Sequence, residues 1–354
     1  MRVRILAPAT RGPTLQSGES PATIPGVAQI EVQKLTKTFK VSEREGGFSA
    51  ALGSVFRRRY KQVHAVEQID AVIEKGEIVG FLGPNGAGKT TTLKMLTGLL
   101  HPTSGAATVL GHTPWRRDPD YLRQISMVMG QRSQLHWDLP AMDSFILHLA
   151  VYRVDKARGR ATLDELIGLL DLAGVIKKQV RTLSLGERMK CELAVSLLHN
   201  PAVLFLDEPT LGVDITMQAR IRQFIAEYNR RYGATIILTS HYMADVTALC
   251  KRVIVIDRGH ILFDGPLAGL STRVAPFKVI NIDLSRDVDG YDFARAGDVV
   301  AQESRKVTLR VAKERAAEAT TRLLADLPVL DLTIEDPPIE DVIAQVFARG
   351  TGPD

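Results

Sequence analysis

The chain has 354 residues, enough for one large domain and a smaller one, and at 45% hydrophobic and 24% charged it has the composition of a folded globular protein. Its 45 basic and 40 acidic residues leave a formal charge of +5, which suits a nucleotide, a nucleic acid or a membrane surface and selects none of them. Two cysteines are too few for a disulfide framework, and no run approaches the roughly 18 apolar residues of a membrane-spanning helix.

Residues 1–28 read as a flexible N-terminal tail, because Pro8 and the polar stretch after it interrupt what would be the apolar core of a signal peptide. From Gln29, "AQIEVQKLTKTF" alternates as a strand does. An insertion at 41–62 follows, in which Phe48, Ala51, Leu52, Val55 and Phe56 fit one face of an amphipathic helix ahead of the basic cluster Arg57 to Arg59. Such a face either packs on its own domain or lies on a membrane surface. The run "GEIVGFLG" predicts a strand, and "TTLKMLTGLL" a helix closed by "HPTSG".

Further apolar strands are expected at "AVLFLDEP", "ATIILTSH" and "RVIVIDRG", separated by helical stretches such as "TMQARIRQFIAEYNRRYG". This alternation implies an α/β fold with a mainly parallel sheet covered on both faces. A hairpin turning at Arg258 and Gly259 is predicted in "VIVIDRGHILFDG". Beyond Pro276 the sequence changes to "FKVINIDL", "KVTLRVA", "RAAEATTRLLADL" and "VLDLTIEDPPIEDVIAQVF", a small α+β accessory module assigned to 278–347 with a boundary near 270–278. Cys191 and Cys250 fall on apolar segments and read as small buried hydrophobes.

"GPNGAGKTT" satisfies the phosphate-loop pattern in the strand–loop–helix context that the chemistry needs. In the loop Gly83, Pro84, Asn85, Gly86, Ala87 and Gly88 the glycines let backbone amides, all but that of Pro84, which has no N–H, turn inward to phosphate oxygens, backed by the positive end of the helix that begins at Lys89, Thr90 and Thr91. Lys89 is expected to reach the β- and γ-phosphates and Thr90 to ligate magnesium. A second strand must supply a metal carboxylate, and "VLFLDEPT" delivers Asp207 to a strand end. Glu208, next along, is then free to polarise an attacking water.

"TLSLGERMKCELA" joins a Ser, a Gly and an acid in a tight turn. Ser184 and Glu187 form the S-x-x-E pattern of a capping box, with Met189, Leu193, Leu197 and Leu198 following at core-facing spacing.

Taken together, "GPNGAGKTT", "LSLGE", "VLFLDEP", Asp214 in "LGVD" and His241 in "LTSH" resemble, in order and spacing, the ATP-binding subunits of ABC transporters. The resemblance covers residues 29–270 and is nearest to bacterial exporter ATPases whose permease is a separate chain. It implies an ABC-type P-loop NTPase with a RecA-like parallel core, an antiparallel β subdomain and a helical subdomain, hydrolysing ATP with Mg2+.

It also implies a second ATPase subunit, in a homodimer or a heterodimer, a transmembrane permease, no nucleic acid, and a place on the cytoplasmic face of a bacterial membrane. A non-transport ATPase acting on ribosomes or DNA, and an importer subunit, are the alternatives. By the same resemblance, Ser184 and the amide of Gly186 contact a γ-phosphate held by the partner. Gln131 senses magnesium and attacking water, His241 contacts the γ-phosphate, and Asp214 acts across the dimer interface or caps a helix. Leu185 and Glu187 depart from the commonest signature, LSGGQ; a leucine is costly where φ must be positive, so either the backbone at Leu185 is ordinary or some tightness of nucleotide contact is lost, and Glu187 brings an anion towards phosphates. Trp137 is read either on the permease-facing surface or in the core. An aromatic ring upstream of the P-loop is expected to cover adenine; Phe39 fits by context and Tyr60 by its distance to Gly83, and the distance favours Tyr60.

Overall fold

The computed structural model of the protein describes residues 28–42, 60–130, 133–288 and 290–350. The tail, the helix read at 48–56 and Gln131 lie outside the described residues.

The centre is a six-stranded sheet in the order β5-β6-β7-β3-β8-β9. Its members are β3 (Ile78–Leu82), β5 (Ile125–Met129), β6 (Val203–Asp207), β7 (Thr235–Thr239), β8 (Arg252–Asp257) and β9 (His260–Pro266). All neighbours are parallel except β8 and β9, which form the hairpin expected at Arg258 and Gly259. Both turn residues take left-handed φ, 46° and 85°, which matches the twist of the flanking strands.

Continuous apolar runs make these strands because both faces are covered. Along β6 the alternation divides two cores: Leu204 and Leu206 join the helical side, whereas Val203 and Phe205 join the other. The helical side holds α3 (Ala141–Val151), α4 (Lys156–Leu169), α5 (Leu185–Leu197), α6 (Ile215–Tyr232) and α7 (Met243–Leu249), following α1 (Lys89–Leu96) and the short α2 (Pro119–Leu122) in the chain. Asp155 caps α4, its carboxylate accepting from the amides of Ala157 and Arg158 at 3.0 Å each. As the leucine spacing requires, Met189, Leu193, Leu197 and Leu198 of the α5 segment are buried. So are both cysteines, and burial pushes their thiols up to about 12.

The other face packs on α1 and on an antiparallel three-stranded sheet in the order β2-β1-β4. It is built from β1 (Ala28–Ser42), β2 (Tyr60–Glu74) and β4 (Ser104–Val109). Ile30, Leu35 and Val66 meet Leu93 and Met95 there.

A four-stranded antiparallel sheet, order β11-β12-β10-β13, follows α8 (Leu267–Val274). It comprises β10 (Phe277–Leu284), β11 (Asp298–Glu303), β12 (Lys306–Ala312) and β13 (Val329–Glu335), with α9 (Ala316–Asp326). Ile280, Ile282 and Leu309 pack on Leu323 of α9 in a third core. The last helix, α10 (Ile339–Gly350), leaves this unit and returns: Val342, Ile343 and Val346 are buried in the same core as Leu270 and Leu249. The reading of 278–347 as one module therefore joins a separate sheet to a helix that belongs to the main core.

Candidate functional site

The phosphate-loop residues Gly83 to Thr91 leave the end of β3 and run into α1. Two glycines are fixed by close approach. A Cβ at Gly88 would sit 2.5 Å from the Ala65 carbonyl, and its φ is 112°; a Cβ at Gly83 would sit 2.2 Å from the Ile256 carbonyl. The loop is therefore seated directly on β2 and on the end of β8.

Lys89 is 5% exposed and its Nζ donates to the carbonyls of Gly83 (2.6 Å) and Pro84 (3.0 Å). Burial lowers its pKa, while the Glu208 and Asp207 carboxylates pull it back up. Thr90 Oγ1 donates to Asp207, 2.9 Å from Oδ2 and 3.2 Å from Oδ1. β7 lies between β3 and β6 in the sheet, and its last residue completes the contact: Thr239 Oγ1 donates to Asp207 Oδ1 at 2.7 Å. These hydroxyl and carboxylate oxygens converge as a hard divalent cation requires.

Glu208 steps off the strand end into a left-handed conformation (φ 56°), uncommon for a non-glycine residue. Its amide donates to the Thr239 carbonyl at 3.1 Å, and its Oε1 lies 2.8 Å from His241 Nε2. Asn85, Thr90, Met129, Gly130, Asp207 and Glu208 line one cleft of about 270 Å³. Gly130, the residue before Gln131, donates its amide to the Asp207 carbonyl at 3.0 Å.

A supporting network escaped the sequence reading. Asp245, fully buried, accepts from Thr210 Oγ1, from Ser240 Oγ at 2.8 Å and from Arg222 Nη1 at 2.8 Å. Thr210 lies two residues after Glu208 and Ser240 one before His241, so this network braces the two loops that carry the Glu208–His241 pair. Only the acid in "HYMADV", on the buried side of a short helix, signals it.

At the turn before α5 both arms of the capping box are made. Ser184 Oγ accepts from the Glu187 amide at 3.2 Å, and Glu187 Oε2 accepts from the Ser184 amide at 2.8 Å. Leu185 is the first helical residue and has no left-handed φ, in line with the ordinary backbone it needs. Glu187, expected to bring an anion towards phosphates, takes up the capping-box arm in this geometry. Its carboxylate is folded back on its own cap, which holds its pKa low, and Oε1 lies 3.7 Å from Lys178 Nζ. Asp214 caps α6, accepting from the Met217 amide at 2.9 Å.

Trp137 is 52% exposed, with the Arg188 guanidinium 5.7 Å from its ring centre. Leu139 in the same loop and Ile146, Leu147 and Val151 on α3 are exposed as well.

A family model described as ABC transporter matches residues 66–211, and one described as EvrA-like ABC transporter, C-terminal domain, matches 276–335. The ABC transporter ATP-binding protein NatA of Bacillus subtilis (strain 168) is 34% identical over 215 residues, covering 61% of this chain and 87% of that protein. This chain belongs to the ABC transporter family. It is an ATP-binding, ATP-hydrolysing subunit of a transporter. The ABC subunit is also 27% identical to the linearmycin resistance ATP-binding protein LnrL of the same organism, over 83% of this chain and 96% of that one. To the methionine import ATP-binding protein MetN 1 of Acinetobacter baylyi it is 32% identical, over 68% and 71% respectively. A solved ATP-binding subunit of an ABC transporter shares its fold with a TM-score of 0.58 at 23% identity, covering 69% of this chain and 92% of that one.

The register of the β1–β2 ribbon bears on the adenine ring. Phe39 pairs with Val63, two residues from Ala65 where the phosphate loop is seated, whereas Tyr60 pairs with Ser42. The backbone of Tyr60 is thus five residues, about 17 Å of strand, from Ala65. Its side chain lies outside the described residues. We propose Phe39, 36% exposed, as the stacking ring, reversing the preference that sequence distance favours. Phe39→Ala is expected to weaken ATP binding several-fold, about 1 kcal/mol for a stacked ring, with Tyr60→Ala nearly silent. Nucleotide titration giving the opposite ranking would return the role to Tyr60.

Proposed function

We propose that this ABC subunit powers export through a separate transmembrane permease, working as a dimer on the cytoplasmic face of a bacterial membrane. The observation that carries the reading is the exposed apolar face formed by Trp137, Leu139, Ile146, Leu147 and Val151, on the side of the molecule that holds the helices. No helix among the described residues is long and apolar enough to cross a membrane. Export is the reading we take from LnrL, a protein named for linearmycin resistance that is matched over 96% of its length, whereas the methionine import protein is matched over 71% of its own.

In this reading the loop amides and Lys89 bind the ATP phosphates, with the lysine exchanging its two carbonyl partners for phosphate oxygens. Thr90 and Asp207 would hold Mg2+, joined by Gln131, and Thr239 fixes the Asp207 carboxylate; the cation would neutralise phosphate charge. Glu208 accepts a proton as the attacking water oxygen bonds to the γ-phosphorus and the bond to the bridging oxygen breaks, releasing ADP. His241 holds the Glu208 carboxylate in place and reaches the γ-phosphate. Ser184 and the Gly186 amide contact the γ-phosphate of a partner subunit, with Asp214 at the same interface. The cap and the trans site are then one structure, because a capped helix N-terminus still presents amides to an anion.

Glu208→Gln is expected to keep ATP binding and nearly abolish turnover, leaving a more persistent ATP-bound dimer in size-exclusion chromatography. Hydrolysis at the wild-type rate would remove Glu208 as the base.

Ser184→Ala should slow hydrolysis beyond what the ~1 kcal/mol of a lost cap explains. Mixing it with Lys89→Ala subunits should restore one intact composite site per dimer and partial activity. Mixed dimers that exchange subunits yet stay inactive would confine the turn to its own chain.

Ile146→Glu places a charge on a residue that is 57% exposed, so folding and ATP affinity should be unchanged while the protein leaves the membrane fraction and transport fails. Sedimentation with intact membranes checks this, and undiminished membrane association would place the docking face elsewhere.

A further inference from the structure

Glu192 is a carboxylate in the middle of α5, 4% exposed, and it plays no part in the chemistry described above. Burial raises its pKa, opposed by the donors it meets. Those donors come from the segment at the base of the Trp137 loop. Ser133 Oγ donates to Oε1, and the Gln134 amide reaches both oxygens, 2.9 Å from Oε2 and 3.2 Å from Oε1. Gln134 Nε2 in turn donates to the Met127 carbonyl at 3.2 Å, so the same residue is tied to β5.

One helical turn before Glu192, and on the same face, Arg188 lies over the Trp137 ring. The loop also grips the segment that leads into Ser184: the Arg181 amide donates to the Trp137 carbonyl and the Val180 amide to the Leu139 carbonyl, both at 3.0 Å. A buried charge held by several donors is rigid, because breaking any one bond leaves an ion without solvent. Displacement of the loop therefore carries α5 and its N-terminal turn with it.

We propose that Glu192 is a positioning residue that fastens the permease-facing loop to the signature helix, so that the position of the loop sets the position of Ser184. This rests on the reading of the Ser184 turn as a nucleotide contact and of the Trp137 face as the permease side. The clamp transmits in both directions: ATP closing on the turn moves the loop, and a partner holding the loop places the turn.

The test uses the full chain labelled with 5-fluorotryptophan, whose two tryptophans give two fluorine resonances; Trp115→Phe assigns them. In a Glu208→Gln parent, saturating MgATP is expected to shift the Trp137 resonance. Adding Glu192→Gln, which keeps the shape but offers one acceptor oxygen and sets an NH2 against the loop donors, should leave the ATP dissociation constant unchanged and cut the shift to roughly half or less. Ser133→Ala removes one bond from the loop side and should lose part of the shift without touching the helix.

A full shift in the Glu192→Gln protein, or a parent whose Trp137 resonance ignores bound ATP, overturns the clamp. A parent that fails to bind ATP in nucleotide titration overturns the phosphate-loop reading, and the clamp with it, and is distinguished by that titration.

Discussion

The contact between the Thr90 hydroxyl and the Asp207 carboxylate is 117 residues wide in sequence and 2.9 Å wide in space. It exists because β3 and β6 run in the same direction and end at the same edge of one sheet, with β7 between them. Parallel strands need crossover connections, and here helices cover one face and α1 with the three-stranded sheet covers the other; hence the strands are apolar on both sides and their polar residues gather at the carboxyl ends. Everything else at the site follows from that edge. Thr239 reaches Asp207 because it ends the intervening strand, and Glu208 turns left-handed because the chain must leave the sheet directly beside the phosphate loop.

Local patterns in the sequence were legible to the extent that the physics behind them is local. The phosphate loop, the capping box at Ser184, the turn at Arg258 and Gly259 and the apolar strands all depend on residues within a few positions of one another, and the structure has them where the pattern puts them. Thr239, Asp245 and Glu192 were not legible. Each acts through a partner 23 to 59 residues away, and a threonine or a lone acid carries no mark of burial in its neighbours. For the adenine ring two measures give different candidates: distance along the chain favours Tyr60, whereas the register of the β-ribbon sets Phe39 opposite Val63.

The departures at Leu185 and Glu187 look less disruptive in three dimensions than in one. Leu185 needs no special backbone as the first residue of α5, and its side chain lies against Gly212, where an added Cβ would come within 3.0 Å of it. Glu187 is folded back on its own helix cap and lies near Lys178.

The return of α10 to the main core has a consequence in time as well as in space. Val342, Ile343 and Val346 close a core whose other members, Leu249 and Leu270 among them, precede the four-stranded sheet in the chain. During translation that patch stays uncovered until the sheet has been made and the final helix has cleared the ribosome. The core of the ATPase is therefore complete only once the chain has been made through α10, beyond the accessory sheet.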